Sequence, residues 1–315
     1  MASFADYIAL TYTVVLTPLY VGFTAKLGYK IYIKKTPDVR NEYYPIIFYK
    51  GVIDNITNIV QLFTGRILKF HILEDVYLAI NFPVYILYFT TCTTYCIMYQ
   101  ITFLIAFNRY IAMLKPTRYK EIFELRKLHL YIGITLIPGL ISGIVGVCFN
   151  LKYTWFPTLG RVMGIYTESG IEYFHASYGV FLNIPLIAVT TWMNLKCFFK
   201  NKKVLSTKNL RSSADSKLFL YNIISFITMW GFEFYYICRY FPYILGRFKN
   251  LESLAIQIVP WFLDVMTYGL WIFSIALSSV LRSLIPCCVK KKKQIKVGNS
   301  QSVNKQVVSK KSTTI

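Results

Sequence analysis

The sequence predicts an all-α membrane protein: a bundle of seven transmembrane helices with the N-terminus outside and the C-terminus in the cytosol. Three observations predict it. First, 55% of the 315 residues are hydrophobic and only 16% are charged, a balance that suits a chain solvated by lipid rather than a water-soluble globule. Second, apolar stretches long enough to cross a hydrocarbon core of roughly 30 Å recur seven times along the chain. Third, most of the 35 Lys and Arg crowd into alternate connections and the C-terminal tail. Short connections rich in Lys and Arg stay in the cytosol. The net charge of +21 therefore reads as a cytosolic collar drawn to anionic lipid, and nucleic acid is not an expected partner.

Span 1 covers 7–33 and carries Pro18, a kink site. Asp6 stands where a signal peptide would have its basic region, so this span reads as a retained helix. Span 2, 44–68, is the most polar, with Lys50, Asp54, Asn55, Asn58 and Gln61 inside it. Span 3, 83–112, has no charge before Arg109. Span 4, 130–150, contains Pro138 and the small residues Gly139, Ser142, Gly143 and Gly146, which let a neighbouring helix approach closely. A loop is expected over 151–173. Span 5 covers 174–199 with Pro185 near its middle, and a basic connection, 200–217, comes next. Span 6 is 218–241, and span 7 is 253–281 with Pro260. All seven form one domain, 1–285. The tail, 286–315, is basic, polar and expected to be disordered.

Several residues inside these spans bear on chemistry. Lys50 and Asp54 are four apart and share a helix face. Asp54 lies roughly 15 Å from the inner boundary by helical rise, and Asp264 lies at similar depth. Buried charges in a bilayer are costly and usually paired. Asp54 therefore either pairs with Lys50 or joins a polar network with Asn55, Asn58 and Asp264. The same charges would suit an ion or proton path, so a transporter or channel is the alternative reading, although no internal repeat supports it. Toward the outer half, Tyr85, Tyr88, Phe89 and Cys92 of span 3, Phe232, Glu233 and Tyr236 of span 6, and Trp261 of span 7 form a candidate pocket for a small organic ligand. With 26 Tyr and 24 Phe in the chain, simple packing competes with that role. Cys287 and Cys288 precede the basic run 290–293, a placement suited to S-palmitoylation. The seven Cys have no metal-type spacing, and His71, His129 and His175 form no carboxylate cluster at one depth. No metal, cofactor or enzyme activity is expected.

The most specific arrangement is Asn108-Arg109-Tyr110 at the end of span 3, followed by Pro116 and Tyr119. It resembles the Asp/Glu-Arg-Tyr segment of seven-helix G-protein-coupled receptors. It is most similar to the Asn-Arg-Tyr version in nematode serpentine chemoreceptors, with the gamma-type group first and class V a close alternative. The resemblance implies a chemosensory receptor in the plasma membrane or the membrane of a sensory cilium. It would bind a small external molecule and activate a heterotrimeric G protein through Asn108, Arg109, Tyr110, Pro116 and Tyr119. It also suggests that the polar residues of spans 2 and 7 form a switch centre. The sequence departs from rhodopsin-like receptors in several ways. It has no Cys in 151–173 to pair with span 3; Cys92 lies too deep, and Cys148 belongs to span 4. Span 7 has no Asn-Pro-x-x-Tyr, and span 6 has Trp230 but no Pro. The glycosylation pattern Asn55-Ile-Thr57 falls inside span 2.

Overall fold

The computed structural model describes residues 3–39, 41–156, 160–168, 170–207, 213–245 and 249–285. Cys287 and Cys288 lie outside the described residues. Among those described, seven long helical segments succeed one another in the order the apolar stretches require. The first is α1 (Phe4–Gly28), prolonged by a π-helical turn at Tyr29–Ile33. The second is α2 (Tyr43–Gln61), prolonged by a π turn at Leu62–Arg66 and a 3-10 turn at Ile67–Phe70. A short helix, α3 (Glu74–Ala79), leads to the third, α4 (Phe82–Leu114). A second short helix, α5 (Pro116–Ile122), precedes the fourth, α6 (Leu125–Cys148). The fifth segment is built from α7 (Ile171–Tyr178), a π turn at Gly179–Asn183 and α8 (Ile184–Thr207). The sixth is α9 (Ser213–Leu245). The seventh joins α10 (Lys249–Asp264), a π turn at Val265–Gly269 and α11 (Leu270–Leu277), with α12 (Ser279–Arg282) after it.

Several helices overrun the apolar stretches; for example, α8 runs on to Thr207, and α9 spans Ser213–Leu245. Among the described residues, five helical stretches qualify as membrane spans by length and apolarity alone: Phe4–Ile33, Phe82–Leu114, Leu125–Cys148, Ile171–Lys200 and Gln257–Leu277. The α2 segment falls short because of its internal Lys50, Asp54, Asn55 and Asn58.

Local chemistry sets several helix ends. The Ser3 hydroxyl accepts from the Asp6 amide at 3.2 Å, and the Ser3 amide donates to the Asp6 carboxylate at 3.0 Å, a capping box. Pro116 occupies the first turn of α5, where its missing N–H costs nothing.

The expected loop at 151–173 is instead largely a hairpin. Strands β1 (Leu151–Phe156) and β2 (Arg161–Tyr166) pair antiparallel, Leu151 opposite Tyr166. Leu151, Tyr153 and Val162 close over Leu68 and Val84 at the end of the bundle. The alternation that buries one face of β1 is too short to stand out in the sequence.

Where the structure shows side chains, the apolar surface faces outward as well as inward. Leu130, Ile134, Ile137, Ile141 and Ile144 of α6 are exposed, while Ile132, Gly139, Ser142, Gly143 and Gly146 are buried. The small residues are the contact face toward α4. A Cβ at Gly143 would collide with Thr93 and the Phe89 carbonyl, and one at Gly139 with Ile97 and the Thr93 carbonyl.

Gly143→Leu is expected to cost about 1–3 kcal/mol through overpacking, read as a lower unfolding temperature of the detergent-solubilised protein. Gly133→Leu, where a Cβ meets nothing within 4 Å, serves as the tolerated control. Equal losses at the two sites would mean that α4 and α6 do not pack through Gly143.

Candidate functional site

Three groups of candidate side chains are distributed along the bundle. At the end where α4 finishes, Asn108 and Arg109 are buried and Tyr110 is half-buried. The Asn108 amide donates to the Tyr119 hydroxyl at 3.1 Å. That hydroxyl donates in turn to Asn41 Oδ1 at 3.4 Å, and the same oxygen accepts the Tyr43 amide at 3.1 Å. Burial pushes the Tyr119 phenol above its usual range, so it remains a neutral hydroxyl. The Arg109 guanidinium lies over the Tyr43 ring, 5.4 Å from its centroid. Tyr110 packs on Trp192 with ring centroids 5.3 Å apart, and Lys200 donates to the Met113 carbonyl. Pro116 is exposed and starts the turn that carries Tyr119 back to Asn108. Asn108, Arg109, Pro116 and Tyr119 thus belong to one constellation joining α4, α5 and the start of α2.

The second group runs along the seam between α1, α2 and the seventh segment. Asp54 Oδ2 accepts from Lys50 at 2.6 Å and from the Tyr20 hydroxyl at 2.7 Å. Lys50 also donates to the Met266 carbonyl at 3.0 Å, within the π turn of the seventh segment. Asn55 donates to Thr24 at 3.0 Å, and Asn58 accepts from Thr267 at 3.1 Å. Asp264 does not join Asp54. Its carboxylate pairs with Arg66 and accepts the Tyr12 hydroxyl, and Arg66 also donates to Thr13 at 2.6 Å. Helical depth put Asp54 and Asp264 at one level, but packing turns Asp264 toward the far end of α2. Of the two arrangements open to Asp54, the structure shows the pair with Lys50, and Asp264 forms a second ion pair with its own partners. Arg66 looks like an ordinary span-end cation in the sequence; its three-residue spacing from Lys69, which pairs with Asp6 at 2.6 Å, was the available signal.

The third group lies toward the hairpin end between α4, β2, α7 and α9. Tyr88, Cys92, Phe232, Glu233 and Tyr236, all singled out in the sequence, line this aromatic seam. The Tyr88 hydroxyl donates to the Gly164 carbonyl at 2.6 Å, and Cys92 meets the Tyr166 hydroxyl at 3.8 Å. Glu233 Oε2 accepts from Tyr99 at 3.3 Å and from Asn183 at 3.2 Å. Three other residues expected here lie elsewhere. Phe89, about 100° round the helix from Tyr88, faces Gly143 of α6. Tyr85 accepts the Leu151 amide and holds the hairpin. Trp261 is 41% exposed and lines a small cleft with Asp6, Arg66, Lys69 and Asp264. Sequence reasoning missed Tyr166 of this seam, because the 151–173 segment offered no helical register to orient it, and His175, because it stands at the very start of span 5 with no partner legible in the sequence. His175 stacks on Tyr240 with centroids 4.8 Å apart and is buried. Among the described residues no group of His, Cys, Asp and Glu could hold a metal ion.

A seven-segment helical bundle with charges paired inside it and an Asn-Arg-Tyr constellation at one end is the build of a multi-pass membrane receptor. The family described as the serpentine type 7TM GPCR chemoreceptor Srv matches residues 9–287, and the chain belongs to that family. This upholds the serpentine chemoreceptor resemblance and places the chain in a receptor family rather than an enzyme family. No curated protein matches the chain.

Asp264→Asn leaves the Arg66 guanidinium without a carboxylate and is expected to cost about 3–5 kcal/mol, measured as thermal unfolding in detergent. The double variant Arg66→Met with Asp264→Leu should be more stable than either single variant. Strictly additive losses would mean that the two charges do not depend on one another.

Proposed function

We propose that this chain is a chemosensory receptor that binds a small external molecule near the hairpin end and activates a heterotrimeric G protein at the Arg109 end. The carrying observation is the Asn108–Tyr119–Asn41 chain beside Arg109, placed at the end of the bundle where Lys and Arg crowd the connections. By the positive-inside rule that end is cytosolic, which leaves the N-terminus and the hairpin outside. The membrane is the plasma membrane or that of a sensory cilium. Residues 113–129 and 200–217 provide the docking surface around Arg109, and Tyr110 anchors it to the fifth segment. Cys287 and Cys288 would be palmitoylated. Within the serpentine receptors, the Asn-Arg-Tyr segment suits the gamma-type group, with class V as the close alternative.

Signalling needs two bundle arrangements with different affinity for the ligand. The aromatic seam between α4, α7 and α9 is the ligand-sensing part of this reading, because α4 runs unbroken from Tyr88 to Arg109. The Lys50–Asp54 pair, Asn55, Asn58 and Asp264 tie α1, α2 and the seventh segment together and would serve as the polar switch. Asn108 replaces the acidic residue common at this position and gives its side chain to Tyr119. Release of Arg109 therefore needs no proton uptake at position 108.

In cells displaying the chain at their surface, the calcium or cyclic-nucleotide response to an active odorant mixture should vanish in Arg109→Ala at equal surface expression. Tyr119→Phe keeps the ring but removes the acceptor of the Asn108 hydrogen bond, worth roughly 0.5–1.5 kcal/mol, so ligand-independent signalling should rise several-fold. An ion current that persists in Arg109→Ala and under G-protein blockade would overturn this reading in favour of a channel or transporter.

A further inference from the structure

The aromatic seam contains a carboxyl group with no ion-pair partner among the described residues. Glu233 is 3% exposed. By helical rise it lies roughly 12 Å in from the outer end of its apolar stretch. Its contacts are two neutral donors, the Tyr99 hydroxyl and the Asn183 amide. The bundle's other span-buried carboxylates, Asp54 and Asp264, each pair with a cation in the structure. Among the described residues no Lys, Arg or His forms an ion pair with Glu233. A carboxyl group at such depth calls for a positive partner.

The surroundings describe that partner. Phe232 stands edge-on to Tyr95 with centroids 4.8 Å apart, and lies 6.3 Å from Tyr99 and 6.0 Å from Tyr236. Tyr178 meets Tyr236 at 5.9 Å. Electron-rich ring faces around an acid attract an ammonium or a larger organic cation. The same seam holds buried polar atoms that make no hydrogen bond of ordinary geometry: Asn183 Oδ1, the Tyr178 hydroxyl and His175 Nδ1. The first two can accept from an ammonium while Glu233 takes its charge. Gly179 opens the π turn Gly179–Asn183 beside Glu233, and a Cβ there would come within 3.5 Å of Oε1.

We propose that the seam recognises a small organic cation, a protonated amine with a compact apolar or aryl body, and that Glu233 is its counter-ion. This deepens the receptor reading and rests on it only for the signalling step after binding. The ammonium enters from the hairpin end past Tyr166 and His175 and separates Tyr178 from Tyr236. Arg239 belongs to the outer part of the seam, donating to the Tyr235 hydroxyl at 2.7 Å and lying over the Tyr240 ring. Its positive charge disfavours an amine halted at the entrance, so the attraction that seats the ligand has to come from Glu233.

The test is direct binding to the purified full-length chain in lipid nanodiscs. The probes are arylalkyl and alkyl amines, led by phenethylamine, each paired with the alcohol of the same shape, with 3-phenylpropionate as the anionic control. Amines are expected to bind better than their alcohols, and the anion not to compete. Glu233→Gln should weaken amine binding by roughly 30-fold or more, the usual loss when one member of a buried charge pair is removed, and leave the alcohols unchanged. Glu233→Asp keeps the charge and should keep the amine preference, which preserves the test if the Gln variant does not fold. The proposal is overturned if no amine in the panel binds better than its alcohol, or if binding is the same in Glu233→Gln. Amines that bind through Glu233 but do not stimulate nucleotide exchange on added G protein would uphold this ligand class and count against the receptor reading.

Discussion

Charge buried in a bundle solvated by lipid is costly unless it is paired, and pairing within the bundle organises the side of the molecule built from α1, α2 and the seventh segment. Lys50 and Asp54 sit a turn apart on α2, but their pairing is completed by Tyr20 of α1 and by the Met266 carbonyl of the seventh segment. Asp264 is completed by Arg66 from the end of α2 and by Tyr12 of α1. Each pair fixes the rotation of three helices, because moving any one of them strands a charge in a low-dielectric interior. Apolar packing cannot supply that orientation alone. A lipid-facing Ile on α6 is as well solvated as a buried one, so the hydrophobic effect does not distinguish the two faces of a span.

Contacts between helices therefore rely on shape and polar partners. The α4–α6 contact uses Gly139, Ser142, Gly143 and Gly146 to bring two helices together closely enough that a Cβ would collide. The α1–α2 and seventh-segment contacts use hydroxyls and amides, such as Thr17 with Tyr268 at 2.6 Å and Thr267 with Asn58. Among the π turns that interrupt the helices, three present functional groups: Arg66 toward Asp264, Asn183 toward Glu233 and the Met266 carbonyl toward Lys50. An inserted turn re-aims side chains within a helix that otherwise stays continuous.

The two ends of α4 belong to different chemistry. At one end Tyr88 and Cys92 meet the hairpin and the aromatic seam; at the other Asn108 and Arg109 meet α5 and the start of α2. One continuous helix, Phe82–Leu114, carries both groups. The hydrogen bond from Asn108 to Tyr119 explains why the Asn-Arg-Tyr segment and the Tyr after Pro116 occur together. The proline starts a short helix whose first turn returns a hydroxyl to the asparagine.

The sequence by itself determined the number and order of the helices, the polar character of α2, the small-residue face of α6 and the Asn108–Tyr119 segment. These properties come from apolar length, from the 3.6-residue period and from residue types that serve few purposes inside a membrane. Pairing was decided only by the tertiary structure. Asp264 meets Arg66 rather than Asp54, Phe89 and Trp261 turn away from the aromatic seam, and Tyr166 enters it from a segment that looked like a loop, beside His175 at the start of the fifth segment. Spacing along a helix gives depth and relative face, but not how each helix is rotated about its axis against its neighbours. That rotation is set by where close-packed glycines, π turns and buried charges can all be satisfied at once.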